Sequence, residues 1–375
     1  MREHLVVHQF DPAEQIAGGV HGFIVELVRY APPEHSFRLV GVDSTGARKL
    51  GAWYDVVIGD RAARFLPVAR LSAGRPQRRV PHTLRLVAGM LARRPSVGDA
   101  IVHAHRVEVA AALDLAYPRA PLAQFVHTDS SELLRHRVES FWKVLPRTQL
   151  ALERRAVRRA DRTIVFSGAA ARRLAAESSR VSAGTNWFDE SVFFPGEARE
   201  DAPVAIGWIG RFEASKNPLD AVDVFARLAA RNGTFRGWFA GSGTLEDELQ
   251  KRVVQRGLGD RVKLLGTLPP GALAEQLRAT HVLLVTSLWE GQPRAVLEAL
   301  ACGTSVVSTD VGDVRALVVD GANGYVAGGR SADELASLVE AAAPLAGDEA
   351  VAASVSHLRA GLVVPKLLEE LECIR

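Results

Sequence analysis

Two glutamates eight positions apart, Glu290 and Glu298, lie in the segment EGQPRAVLEALACG at 290–303, directly after the apolar run HVLLVTS at 281–287. A continuous apolar run of that length reads as a buried strand. Glu290 therefore stands in a post-strand loop, and Pro293 suits the first turn of the helix that follows. Glu298 then falls in the second helical turn, close enough to the helix start to face the same ligand. A carboxylate can accept two hydroxyls from one sugar ring. Two carboxylates at opposite ends of a ligand would fit a nucleotide sugar, one on the hexose and one on the vicinal hydroxyls of the ribose. By spacing alone, Glu298 capping or solvating its own helix fits equally well.

Two further post-strand loops carry groups of the same kind. GWIGRFEASKN, 207–217, ends a strand at Gly210 and brings Arg211 and Lys216 before a helix that begins near Asn217. Two cations beside the free N–H groups of a helix start make a diphosphate site, although ordinary surface charges would look the same. Lysine is scarce in this chain, so its presence there stands out. FAGSGTLEDELQ, 239–250, sets Gly241 and Gly243 between a strand and a helix. Such glycines permit close approach of a ligand or simply a tight turn. With Thr244, Leu245 and Glu246 following, the loop lacks the third glycine of the dinucleotide fingerprint.

The elements that must position these loops alternate strand with helix. HLVVHQF, FRLVGVD, DVVIG, AIVHAH, LAQFVHT and RTIVFS are strand runs of the first half, with amphipathic segments such as VHGFIVELVRY and TQLALERRAVRRA between several of them. The cluster FFPGEAREDAP at 193–203 reads as a linker. Beyond it VAIGWIG, RGWFAGSG, RVKLLGT, HVLLVTS and SVVSTD restart the pattern. The expected fold class is α/β: two tandem Rossmann-like doubly wound domains, residues 1–196 and 203–375, facing a cleft.

At 375 residues, 47% hydrophobic and 24% charged, the composition is that of a soluble two-domain protein. No apolar run reaches the roughly 20 residues of a membrane helix, and the N-terminus does not read as a signal peptide. Cys302 and Cys373 form neither a disulfide framework nor a metal-ligand spacing. A cytoplasmic location follows as the expectation. Residues 61–94 hold nine arginines and no acidic residue. Such a stretch suits peripheral contact with an anionic membrane face or a lipid-diphosphate acceptor, and equally a solvated surface. Without interleaved aromatics, nucleic acid is the weakest of these partners.

Taken in order, G-R-x4-K at 210–216, the G-x-G loop at 241–243 and E-G-x6-E-A-x-A-x-G at 290–303 resemble the retaining glycosyltransferases of family 4, which have the GT-B fold. The first half agrees through AGGV at 17–20, VHAH at 102–105, FVHTD at 125–129, ADRTIVFS at 160–167 and NWFDESVFFP at 186–195. The resemblance implies transfer of a hexose from a nucleotide-diphosphate sugar, with neither cofactor nor metal. The acceptor would be a sugar, a lipid-linked sugar or a small molecule, and bacterial polysaccharide or glycolipid biosynthesis the setting.

It further implies that Glu290, with Gly291, Gln292 and Pro293, meets the sugar and that Glu298 meets the ribose. Arg211 and Lys216, next to Gly210, would neutralise the diphosphate. Gly18 and Gly19 match a loop that approaches the phosphates or the acceptor. His127 matches a histidine that lies against the donor sugar across the cleft. His103 and His105 share one strand face, a conceivable metal pair for which no third ligand suggests itself. Two departures are visible: Ala316 replaces a glutamate common in the family, and Gln292, Pro293 and Arg294 replace a Gly-rich run. The last helix could pack back on the first domain.

Overall fold

The computed structural model describes residues 2–14, 19–71, 82–127, 146–196, 203–231 and 234–374. It divides into two compact units, one built on Val20–Thr185 with the first strand and Val364–Arg375, the other on Asn186–Val363.

The first unit holds strands β1 (Arg2–Val7), β2 (His35–Asp43), β3 (Tyr54–Ile58), β4 (Arg61–Arg70), β5 (Ile101–Ala104), β6 (Leu122–Val126), β7 (Arg162–Val165) and β8 (Val181–Ala183). They form one sheet in the order β3-β4-β2-β1-β5-β6-β7-β8. Every ladder is parallel except β3 on β4. Helices α1 (Gly19–Arg29), α2 (His82–Arg93), α3 (Val107–Ala116), α4 (Pro146–Arg159) and α5 (Gly168–Ala175) connect and cover these strands. Fully parallel strands must be buried on both faces. Accordingly β5 and β6 have no exposed residue.

Strand β4 lies in the arginine-rich stretch and was not among the expected strands. Its alternation is masked by Arg61, Arg64 and Arg70 and interrupted by Pro67, which has no N–H to give to the ladder. At that point the β2–β4 register shifts, between Gly41 and Val42. The arginines there are partly structural. Arg61 donates to the carbonyls of Ala31 and His35, Arg93 to that of Val68, and the Arg64 guanidinium lies over Trp53. Residues 72–81 of the stretch lie outside the described residues.

The second unit holds β9 (Val204–Ile209), β10 (Phe235–Ala240), β11 (Val262–Leu264), β12 (Val282–Val285), β13 (Ser305–Thr309) and β14 (Gly324–Ala327), ordered β11-β10-β9-β12-β13-β14 and parallel throughout. Helices α6 (Pro218–Ala230), α7 (Glu246–Gln255), α8 (Pro270–Arg278), α9 (Arg294–Ala301) and α10 (Ala332–Ala342) follow strands in turn. Two apolar cores lie on the two faces of the sheet, one around Leu283, Leu297, Leu300 and Val306, the other around Trp208, Phe225, Phe239 and Leu284. The α/β class and the paired doubly wound sheets are as expected from the sequence. Only the short strands β8 and β14, with β4, escaped it.

The division between units falls before residue 186 rather than at 196–203. The cause is apolar: Phe188 and Phe193 are 3% exposed and belong to the second unit's core. Phe188 also forms a β-bridge to Arg359 and accepts from the Ala360 N–H. At the other end, Val364–Arg375 groups with the first unit rather than with the second. There Glu370 pairs with Arg162 and accepts from Ser182 Oγ at 2.9 Å, and Glu372 pairs with Arg2. Replacing Phe188 by Ala should destabilise the second unit by about 3–5 kcal/mol. Hydrogen exchange resolved by peptide would show the loss across residues 203–363. Confinement of the loss to residues before 186 would contradict this boundary.

Candidate functional site

In a doubly wound sheet the loops diverge where the strand order reverses, and ligands bind beyond the carboxyl ends of the strands at that point. In the second unit the reversal is at β9, which pairs with β10 on one side and β12 on the other. The loops after β9 and β12 are the two that carry the cations and the first glutamate. They are tied together. Leu288 N–H donates to Ser215 O at 2.9 Å, and Thr286 Oγ donates to Asn217 O at 2.8 Å while accepting from Trp208 Nε1 at 3.0 Å. Asn217 adopts φ 51°, ψ 55° ahead of Pro218, turning the loop sharply into α6.

Across this junction Lys216 Nζ pairs with Glu290 Oε1, which also accepts from Ser287 Oγ at 2.7 Å. Two residues that the sequence assigned to different parts of a ligand are thus in direct contact. Arg211 is exposed. Glu298, 3% exposed, lies on the buried side of α9 with Arg294 at 3.7 Å, one turn before it. Pro293 is the residue before the helix rather than inside its first turn. Gln292 is committed to the scaffold: its side-chain carbonyl accepts from Asn186 N–H, and its backbone carbonyl from Asn186 Nδ2 at 2.9 Å.

The two glycines of the second loop have a packing reason of their own. Gly241 has φ +143°, and a Cβ there would meet Gly210 O at 1.9 Å; one on Gly243 would meet Phe212 O at 2.5 Å. The same constraint ties Gly312, φ +54°, to Gly291, whose carbonyl also accepts from Asp313 N–H at 3.0 Å.

The first unit repeats the geometry. Its order reverses at β1, between β2 and β5, so His8 after β1 and His105 after β5 meet, ring centroids 5.8 Å apart. His105 Nδ1 lies 3.0 Å from Nε2 of His127, the residue that follows β6. His127 stacks on Phe166 with centroids 4.9 Å apart and an interplanar angle of 7°. Gly19, φ +63°, opens α1, and a Cβ there would meet nothing within 4 Å, so its constraint is conformational rather than steric. Gly18 lies outside the described residues.

A second imidazole row runs beneath. His103 Nε2 is 2.9 Å from His4 Nδ1, His4 Nε2 is 2.8 Å from His35 Nδ1, and His35 Nε2 faces the Glu372 carboxylate at 3.4 Å. Buried polar nitrogens need such partners. Burial pushes His8 and His103 down to about 3, and pushes His105 well below the usual imidazole range. Repulsion from a second proton on neighbouring His127 would act in the same direction on His8 and His105. His103 and His105 therefore belong to two hydrogen-bonded imidazole groups. Among the described residues no group of three His, Cys, Asp or Glu side chains could hold a metal ion.

Ser287, Arg294, Asn186 and the histidine rows were not singled out as site partners by sequence reasoning. Only Arg294 had a local signal, its i,i+4 spacing to Glu298.

Residues 190–344 match the family model described as glycosyl transferases, group 1. Among curated proteins, D-inositol 3-phosphate glycosyltransferase of Kribbella flavida is 29% identical over 53% of this chain and 52% of its own length. Its counterpart from Nocardiopsis dassonvillei is 27% identical over 87% and 81%. The Vi polysaccharide biosynthesis protein of Salmonella typhi is 31% identical over 34% and 22%. The chain thus spans about half or less of the Kribbella and Salmonella relatives, and 81% of the Nocardiopsis one. Among solved structures, sucrose-phosphate synthase from Thermosynechococcus elongatus superposes with TM-score 0.79 at 18% identity over the whole of both chains. Anabaena HepE, solved with UDP-glucose, gives 0.72 at 17% over the whole of both. The fold is that of the GT-B glycosyltransferases, and over residues 190–344 the motif resemblance agrees with the group 1 match.

Two outcomes follow from this geometry. Gly241→Ala should cost at least about 2 kcal/mol in a urea titration, because the strained φ and the carbonyl clash add. Imidazoles held neutral by the fold bind fewer protons than in the unfolded chain, whose value is about 6.5. Stability should therefore be insensitive to these groups above pH 6.5 and fall as pH drops below it, by up to about 1.4 kcal/mol per unit for each histidine. Urea unfolding at pH 7.5 and 5.5 tests this. His103→Phe should flatten the dependence, and an unchanged slope would refute the assignment.

Proposed function

We propose that this chain, which carries the group 1 glycosyl transferase match within a GT-B fold, is a retaining family 4 hexosyltransferase using a nucleotide-diphosphate sugar without a metal ion. The observation that carries the reading is the meeting of the Lys216 and Glu290 loops at the β9/β12 reversal, with Arg211 exposed beside them. Departure of a nucleoside diphosphate builds negative charge, and preorganised cations stabilise it most when they need not rearrange. Lys216 and Arg211 are assigned to the diphosphate. Glu290, released from Lys216 as the phosphate takes over its charge, is assigned to hydroxyls of the hexose. Glu298, paired with Arg294 on α9, is assigned to the ribose.

In the proposed step the bond from the sugar C1 to the diphosphate oxygen breaks and a bond from C1 to the acceptor oxygen forms on the same face. The acceptor proton passes to the departing phosphate. Gln292 serves this step by holding the Glu290 loop through Asn186. His127 is assigned a contact with the sugar. Gly241 and Gly243 bring the backbone of their loop beside Gly210.

UDP or UDP-glucose is present in HepE structures, and several curated relatives are named for transfer to D-inositol 3-phosphate. A sugar or lipid-linked acceptor in bacterial polysaccharide or glycolipid synthesis is the reading adopted. Arginines of the 61–94 stretch would then meet an anionic, lipid-diphosphate acceptor. A cytosolic transferase acting on a small metabolite uses the same donor site. Salt-sensitive binding to anionic vesicles separates the two.

Thermal unfolding with excess UDP, GDP, ADP, CDP or TDP, each with EDTA, tests the donor site. A ligand at 100-fold over its dissociation constant adds about 2.7 kcal/mol, so one nucleotide should raise the midpoint. Arg211→Ala and Lys216→Ala should abolish both that shift and transfer while leaving the fold intact. No shift with any nucleotide would favour a non-catalytic scaffold.

A further inference from the structure

His105 is not among the residues assigned to the proposed reaction, yet it stands in hydrogen-bond reach of one that is. It is 4% exposed and sits between Phe125, stacked at 4.6 Å and 9°, and the edge of Phe23 at 5.5 Å. Its ring is nearly parallel to that of His127, at 14°, with Nδ1 in hydrogen-bond reach of His127 Nε2 at 3.0 Å. Its other nitrogen, Nε2, is buried and has no hydrogen-bond partner among the described residues.

These facts decide where the hydrogens are. A hydrogen on His105 Nε2 would be a buried donor without an acceptor, the costlier of the two ways to leave a nitrogen unpaired. The His105 hydrogen therefore sits on Nδ1 and is donated to His127 Nε2. A neutral His127 that accepts at Nε2 must carry its own hydrogen on Nδ1. That is the reverse of the form favoured by a free side chain in water.

We propose that His105 is the positioning residue for His127, fixing it as the Nδ1–H tautomer, with Nδ1 as its hydrogen-bond donor. The consequence for a ligand rests on the reading of His127 as sugar-facing; the tautomer does not. Phe166 beneath His127 and Phe23 at its edge, 4.8 Å between centroids, hold the ring at the angle the bond requires. The residue that follows β5 in effect orients the one that follows β6, because the two strands are hydrogen-bonded neighbours.

The test is the two-bond proton–nitrogen spectrum of the unliganded protein labelled with ¹⁵N-histidine, at pH 7.5. His127→Gln identifies the His127 signals by their loss. The wild type should show His127 protonated at Nδ1 and bare at Nε2. In His105→Phe the ring should revert to Nε2–H. His105→Asn, whose amide stands where Nδ1 stood, should preserve the native form, while His105→Gln should not, which covers the case of a Phe variant that does not fold. A wild-type ring with its hydrogen on Nε2, or a tautomer indifferent to His105, overturns the proposal. In transfer assays His105→Phe should lose about tenfold in kcat/KM, with His105→Asn recovering most of it. Failure of the donor reading shows separately, as the absence of any nucleotide shift, and leaves the tautomer result standing.

Discussion

The pairing of β9 with β12 is the constraint on which the second unit's site depends. Parallel strands deliver all their following loops to one edge, and only where the order reverses do two neighbouring loops turn to opposite sides and leave a crevice. Lys216 and Glu290 are far apart in the chain, yet the reversal sets them in contact. A half-buried ion pair of this kind contributes little to stability on its own. Its value is positional: it fixes a cation and a carboxylate against each other where the two loops meet. Ser287, Thr286 and Trp208 brace it from below through side-chain hydrogen bonds, and Asn186 braces the far end of the Glu290 loop.

The first unit obeys the same rule with other chemistry. At its reversal the groups brought together are imidazoles rather than opposite charges. A carboxylate and an ammonium can face water, but stacked neutral rings need to be dry, and here Phe23, Phe125 and Phe166 exclude it. The same burial that makes these histidines good neutral donors makes them a liability in acid. The lower row, from His103 through His4 and His35 to Glu372, extends this polar seam to the C-terminal segment, whose carboxylates Glu370 and Glu372 anchor it to the strand starts at Arg2 and Arg162.

Glycine placement joins backbone to site. Gly241 and Gly312 adopt positive-φ conformations that side-chain-bearing residues rarely take, and let neighbouring loops touch at carbonyl contact distance. Their side-chain-free surfaces are first a packing device, and any ligand they approach uses a surface that packing had already cleared.

Apolar runs alternating with amphipathic helices were enough to specify an α/β chain with two doubly wound units, because a strand buried on both faces shows itself as an uninterrupted apolar run. The same periodicity placed Glu290, Lys216, Gly241 and His127 at the ends of strands. It missed β4, where arginines that serve neighbouring carbonyls and rings hide the pattern. It also put the boundary too late, since Phe188 reads as first-domain and Phe193 as linker until the core that receives them is known. Which loops meet, and hence that Lys216 pairs with Glu290, Gln292 with Asn186 and His105 with His127, was decided only by strand order. Strand order is set by long-range pairing across crossovers, and no local stretch of sequence carries that information.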